Sequence, residues 1–127
     1  MNKNNNEYRL NVSQIKIMKT IMDLNLLDMY PNVRGVEEVL SGEETKYDNL
    51  ITFGTLISVK GRKMCSIITQ LVRHQFVTYI YDENSDDMYL TLTTKGKVET
   101  NTYLAKHKIK LNKKVRVSRP NIVYIKK

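Results

Sequence analysis

The stretch from Ser58 to Thr94 constrains this chain most, because it changes hydrophobic period from 3.6 to 2 within a few residues. In SVKGRKMCSIITQLVRHQF, Met64, Ile67, Ile68, Leu71 and Val72 recur at i, i+3, i+4, i+7 and i+8. That spacing puts them on a single stripe of one helix, for which Ser58 offers an N-cap. Arg62, Ser66, Thr69, Gln70 and Arg73 fall on the opposite side, with Lys60 and Lys63 near the first turn. VTYIY and MYLTLTT follow, alternate at a period of two, and are separated by DENSDD, so they read as a hairpin closing on a threonine-rich strand. No acidic residue occurs between Ser58 and Tyr81, whereas Asp82, Glu83, Asp86 and Asp87 crowd the hairpin tip.

A helix with a cationic, hydroxyl-bearing face followed directly by a two-stranded wing is the sequence form of a winged helix. The expected architecture is therefore α+β: a winged helix-turn-helix with a two-stranded β-wing and a basic C-terminal extension. Three regions are expected: a flexible N-terminus over 1–11, the folded domain over 12–105, and a basic arm over 106–127. The arm holds nine Lys or Arg and no Asp or Glu, while the other 105 residues carry twelve basic and thirteen acidic groups. Such a single-sign block is the pattern of a polyanion-binding tail.

Upstream, Asn11 or Ser13 can cap a first helix running to about Leu27, with Ile15, Met18, Ile21, Met22 and Leu26 facing inward. Pro31 breaks it. Asn32 caps a second helix with Val33, Val36, Val39 and Leu40 on one side, and Gly42 sits where a C-terminal glycine stop belongs. Tyr47, Leu50, Ile51 and Phe53 are spaced for a third short helical turn. From Leu104 onward alternation returns, which predicts short extended segments.

Several function classes lack their residues. No glycine-rich phosphate loop is present. His74 and His107 stand 33 residues apart with no cysteine beside them, which is poor metal-site spacing. The single cysteine, Cys65, lies next to the apolar stripe and reads as a small buried hydrophobe. No nucleophile–base pair is apparent, so neither catalysis, metal nor cofactor is expected. No run approaches the roughly 20 apolar residues of a membrane span, MNKNNNEY has no apolar core for a signal peptide, and one cysteine forms no internal disulfide. These points favour a cytoplasmic protein without membrane contact, placed at the nucleoid if DNA is its partner.

The ordered set GVEEVLSG, YDNLITFG, the helix ending in VRHQFV, and MYLTLTTKG resembles the RQC domain of RecQ-type helicases, over roughly residues 12–100. Leu40-Ser41-Gly42, Phe53-Gly54 and Leu90-Thr91-Leu92-Thr93-Thr94-Lys95-Gly96 match the family's successive elements. Small free-standing RQC-like bacterial DNA-binding proteins are the nearer analogue, since the motor and zinc modules are missing. The resemblance implies a winged-helix fold that binds duplex DNA, with Ser41 and Gly42 near phosphates. It departs from the family in having Glu43 where a phosphate-binding residue is common, and no aromatic at the hairpin tip.

The expected DNA-binding set is therefore Lys60, Arg62, Lys63, Ser66, Gln70 and Arg73 of the long helix, Ser41 and Gly42, and Lys108, Lys110, Lys113, Lys114, Arg116 and Arg119 of the arm. Duplex DNA is the expected partner. A protein-interaction winged helix serving a helicase or nuclease, and an RNA-binding protein, are the alternatives; a homodimer is left open.

Overall fold

A computed structural model describes residues 9–107, which form a mixed α+β structure. Among these residues the elements are α1 (Val12–Leu26), α2 (Val33–Ser41), a 3₁₀ turn (Thr45–Tyr47), α3 (Arg62–Arg73), β1 (Val77–Asp82), β2 (Asp87–Leu92) and α4 (Thr94–His107). Four helices thus accompany one two-stranded antiparallel sheet. No helix among the described residues is long and apolar enough to cross a membrane.

Asn11, the first of the two candidates, caps α1. Its side chain accepts from the Gln14 amide at 2.9 Å, and the Gln14 side chain accepts from the Asn11 amide at 2.8 Å, closing a capping box. Helix α1 is central: Ile15, Ile17, Met18, Ile21 and Leu24 are buried, and so are Gln14, Lys16 and Thr20. A helix covered on most sides needs no narrow apolar stripe, which is why its sequence period is weak. Leu26, expected to face inward, is instead 78% exposed. It borders an open recess with Met22, Tyr30, Lys97 and Asn101, beside α4, instead of being packed over.

Asn32 caps α2 by accepting from the Gly35 amide at 2.8 Å, and Gly42 ends it in the left-handed region at φ 84°. Both follow the sequence expectation. The expected third helix is reduced to the 3₁₀ turn and the turns that follow it, where Tyr47 and Leu50 pack on Leu24, Val39 and Phe53. Lys16 reaches this segment from α1, its Nζ donating to the Thr55 carbonyl at 2.9 Å.

Helix α3 begins at Arg62 rather than after Ser58. Its cap is Gly61, at φ 58°, a conformation that glycine adopts without a Cβ penalty. Met64, Ile68 and Leu71 are fully buried against α1, α2, Phe76 and the base of the hairpin. Each such side chain contributes about 1.5–3 kcal/mol through burial. Cys65, expected to be buried, is exposed. It directly follows the buried Met64, and the roughly 100° step per residue carries it off the apolar side.

The hairpin pairs Val77 with Leu92, Tyr79 with Leu90, and Tyr81 with Met88. Strand β2 stops at Leu92, two residues short of the expected threonine run. Thr93 turns the chain: its hydroxyl donates to the Gln75 and Phe76 carbonyls and accepts from the Gly96 amide at 2.9 Å, capping α4. Leu104 belongs to α4, so extended structure does not resume there; the alternation expected further on lies outside the described residues.

One amide holds the hairpin to the helices. Asn25 Oδ1 accepts from the Leu92 amide at 3.0 Å and the Thr91 hydroxyl at 3.1 Å, while Nδ2 donates to the carbonyls of Met29 at 3.1 Å and Leu90 at 3.4 Å. The Leu90 amide donates to the Pro31 carbonyl at 2.7 Å, so the outer edge of β2 is covered by the segment between α1 and α2.

Two stability outcomes follow from this packing. A Cβ at Gly96 would lie 2.1 Å from the Phe76 carbonyl oxygen and 2.9 Å from the Leu92 side chain. Gly96→Ala should therefore cost at least about 1–3 kcal/mol in urea unfolding, whereas Val98→Ala, exposed on the same helix, should stay within about 0.5 kcal/mol of the parent. Asn25→Ala should cost about 1–3 kcal/mol, because the part-buried Leu92 amide loses its acceptor. Equal stability of parent and Asn25→Ala would show that the hairpin is held elsewhere.

Candidate nucleic-acid interface

Helix α3 turns one face outward as a consequence of burying the other. Arg62, Ser66, Thr69 and Arg73 are exposed and follow i, i+4, i+7, i+11, so they form one row along the helix. Lys63 and Cys65 are exposed beside that row, and Gln70 is half-buried at its edge. Twelve residues span about 18 Å of helix axis. The row is cationic at both ends, hydroxyl-bearing in the middle, and free of carboxylates. Sequence reasoning placed Thr69 on the polar side without choosing it; its i+7 spacing from Arg62 was the available signal.

The N-terminal end of α3 has a different environment from the rest of the row. Glu37 Oε1 of α2 accepts from the Gly61 amide at 2.9 Å, and Lys60 Nζ pairs with Glu43 Oε2 at 3.1 Å. Glu37 therefore takes the cap amide at the end of the helix where a bound anion would otherwise meet the amides and the dipole, and Glu43 offsets the charge of the lysine just before it. Lys60 is engaged with Glu43. Arg62, Lys63, Ser66, Gln70 and Arg73 share α3.

Ser41 and Gly42 sit at the far end of α2. The Ser41 hydroxyl donates to the Glu38 carbonyl at 3.3 Å, and Gly42 forms the helix stop, with its amide donating to Val39. A Cβ at Gly42 would sit 3.5 Å from Gly54 and 3.8 Å from the Phe53 ring. The two glycines of the Leu-Ser-Gly and Phe-Gly elements thus meet each other, and the Gly54 amide donates to the Val39 carbonyl at 3.0 Å. Lys108, Lys110, Lys113, Lys114, Arg116 and Arg119 lie outside the described residues.

The wing is short and self-organised at its tip. Asp82 accepts from the Asn84 amide at 3.1 Å and the Ser85 hydroxyl at 2.9 Å, and Asp86 adopts φ 59°. The Tyr81 hydroxyl donates to Asp86. Among the described residues no group of His, Cys, Asp or Glu side chains is arranged to hold a metal ion, the acidic tip included. Comparison with protein-family models, with curated proteins and with solved structures gives no match.

The tip offers a titration test. The carboxylate of Asp86 holds the Tyr81 phenol above its ordinary value near 10, because ionisation would break the hydrogen bond and leave two anions in contact. The bond's contribution is therefore fully present below pH 10 and is lost as pH rises through the raised value. Asp86→Asn, which keeps the left-handed conformation accessible, should bring Tyr81 back toward 10 when followed by the carbon-13 shift of its ring.

Proposed function

We propose that this chain is a winged-helix nucleic-acid-binding protein that grips duplex DNA through the outer face of α3 and acts without catalysis. The carrying observation is the exposed row of Arg62, Ser66, Thr69 and Arg73, cationic and without a carboxylate, on a helix of the kind the major groove admits. The element order supports the winged-helix reading, with α1, α2 and α3 followed by a hairpin whose outer edge is bonded to the Pro31 carbonyl. The RQC-like order of motifs in the sequence points the same way.

In this reading Arg62, Lys63 and Arg73 supply charge, Ser66 and Thr69 donate to phosphate oxygens, and Gln70 and Arg73 have the length to reach base edges. Phosphate contacts set position, and base-edge contacts would carry any sequence preference. Lys60 contributes only after leaving Glu43. Ser41 and Gly42 act by fixing the end of α2. The basic residues of 108–127 would add backbone contacts.

Fluorescence anisotropy with duplex DNA, forked DNA, single-stranded DNA and RNA over a salt series tests this. About five phosphate contacts give a slope of log K against log salt of about −4.5. Arg62→Glu with Arg73→Glu should abolish binding while the thermal transition stays near that of the parent, since both side chains are exposed. Removing residues 108–127 should flatten the slope for all duplexes alike. Affinity independent of salt, or retention by the Arg62→Glu/Arg73→Glu variant, would overturn the proposal, and tighter binding to RNA would replace duplex DNA as the partner.

A further inference from the structure

A recess of about 220 Å³ lies where the 29–32 connection, α2, the 3₁₀ turn and β2 come together. Three tyrosines line it, each from a different segment: Tyr30 precedes Pro31, Tyr47 ends the 3₁₀ turn, and Tyr89 stands on β2. Glu38 and Glu44 are its charged residues, so among the described residues the lining holds two carboxylates and no cation. The buried side chains of Leu24 and Val39 contribute to a wall that is mostly carbon.

These segments are fixed before any ligand arrives. The Met29 carbonyl accepts from Asn25, and the Pro31 carbonyl accepts from the Leu90 amide. The Asn32 side-chain oxygen caps α2, Glu44 Oε2 accepts from the Lys46 amide at 3.0 Å, and Tyr47 packs on Leu24, Val39 and Phe53. The same bonds use the Met29, Pro31 and Asn32 oxygens, so the recess offers carboxylate charge and ring surface more than free acceptors. The protein's own cations already gather at its rim. Lys46 Nζ stands 5.6 Å from the centre of the Tyr47 ring, and Arg34 Nε lies 3.5 Å from Glu38. Both side chains are exposed, and exposed pairs of this kind hold weakly, so an entering cation can displace them.

We propose that this recess binds a quaternary ammonium group, held by the ring electrons of Tyr30, Tyr47 and Tyr89 and the carboxylates of Glu38 and Glu44. A methylated ammonium suits it better than a bare ammonium or a guanidinium. Those bring three and five N–H donors that need acceptors, whereas a fully methylated nitrogen brings none. Its charge is spread over methyl groups that lie against carbon and are drawn electrostatically to aromatic rings. The volume falls below the roughly 300–1,000 Å³ of a drug-sized site. The group is therefore a small free solute or the end of a longer molecule reaching out of the opening.

Titration of the full chain with choline, followed by the ring shifts of its tyrosines, tests this without any nucleic acid. Tyr30, Tyr47 and Tyr89 should move along one saturable curve, while Tyr79 and Tyr81, exposed on the wing, stay in place. The neutral isostere of choline, with a quaternary carbon in place of the nitrogen, should bind at least about tenfold more weakly. Ethanolamine should also bind more weakly than choline. Tyr30→Phe should keep the affinity and Tyr30→Leu should lose about threefold or more, with the amide spectrum otherwise that of the parent. Glu38→Gln with Glu44→Gln should weaken binding, and Lys46→Met, which frees the Tyr47 ring, should tighten it. A trimethyl-lysine peptide that binds more tightly than choline assigns the group to a methylated protein chain, and the reverse order assigns it to a free solute; both sustain the proposal. Equal binding of choline and its neutral isostere, tighter binding of methylguanidinium, equal shifts at Tyr79 and Tyr81, or no saturation at tens of millimolar choline would overturn it.

Discussion

The side-chain amide of Asn25 is the interaction on which the arrangement of this protein depends. It sits at the end of the central helix and offers two donors and two acceptor lone pairs, all of them used. Without it, β2 would meet α1 only through apolar contacts, which are non-directional and would permit the hairpin to slide. With it, the Leu92 amide has one fixed place, and the register then places Val77 and Leu90 in the core and Tyr81 and Met88 in solvent. The Pro31 carbonyl bond to Leu90 adds a second fixed point two residues away.

A second polar constraint acts on the opposite flank of α1. Lys16 is buried and reaches the Thr55 carbonyl, while Thr20 and Thr52 share a hydroxyl–hydroxyl hydrogen bond at 2.5 Å. The segment from 48 to 61 has little regular structure with which to satisfy its own backbone, so it draws on α1 for partners. This lets an irregular connection run from α2 to α3 while Gly42 and Gly54 remain in contact. It also delivers Gly61 to Glu37, fixing where α3 starts. The outward face of α3 is thus positioned by polar contacts made well away from it.

How much of this was legible depends on which force places each residue. The apolar stripe of α3, the caps at Asn32 and Gly42 and the hairpin were readable, because periodicity and cap chemistry act locally. The start of α3 was not, since Ser58 looks like a better cap than Gly61 until Glu37 is brought to the Gly61 amide from another element. Leu26 reads as core by spacing alone, yet it borders an open recess beside α4. Helix α4 was hidden for another reason. Its buried positions are Gly96 and Thr100, small residues chosen for close approach rather than for hydrophobicity, so no stripe announces it. The clue was Thr93 followed three residues later by Gly96, which the strand-like threonine run obscured. For the outer face of α3 the sequence showed which residues are polar, but not that Glu37 of α2 bonds the amide of its cap and Glu43 pairs with Lys60 just before it.

The two charged surfaces are separated by the length of the wing, and this decides how they act on a polyanion. Six residues of strand carry the tip about 20 Å from the base where Arg73 and Lys95 stand. At physiological ionic strength the Debye length is about 8 Å, so the tip carboxylates neither cancel the field of α3 nor repel a duplex lying on it. Near 0.01 M salt the length grows to about 30 Å, and the tip then opposes the same duplex. In the proposed complex the wing accordingly acts as an orienting element: it disfavours approaches that bring phosphate to the tip and leaves the row from Arg62 to Arg73 as the favourable side. Side-chain chemistry gives the same direction. Strand separation calls for an apolar or aromatic wedge to replace lost stacking, and the tip from Asp82 to Asp87 presents carboxylates, of which Asp82 is committed to shaping the turn. The wing's exposed rings, Tyr79 and Tyr81, lie on β1 below the tip, away from where a wedge would have to enter.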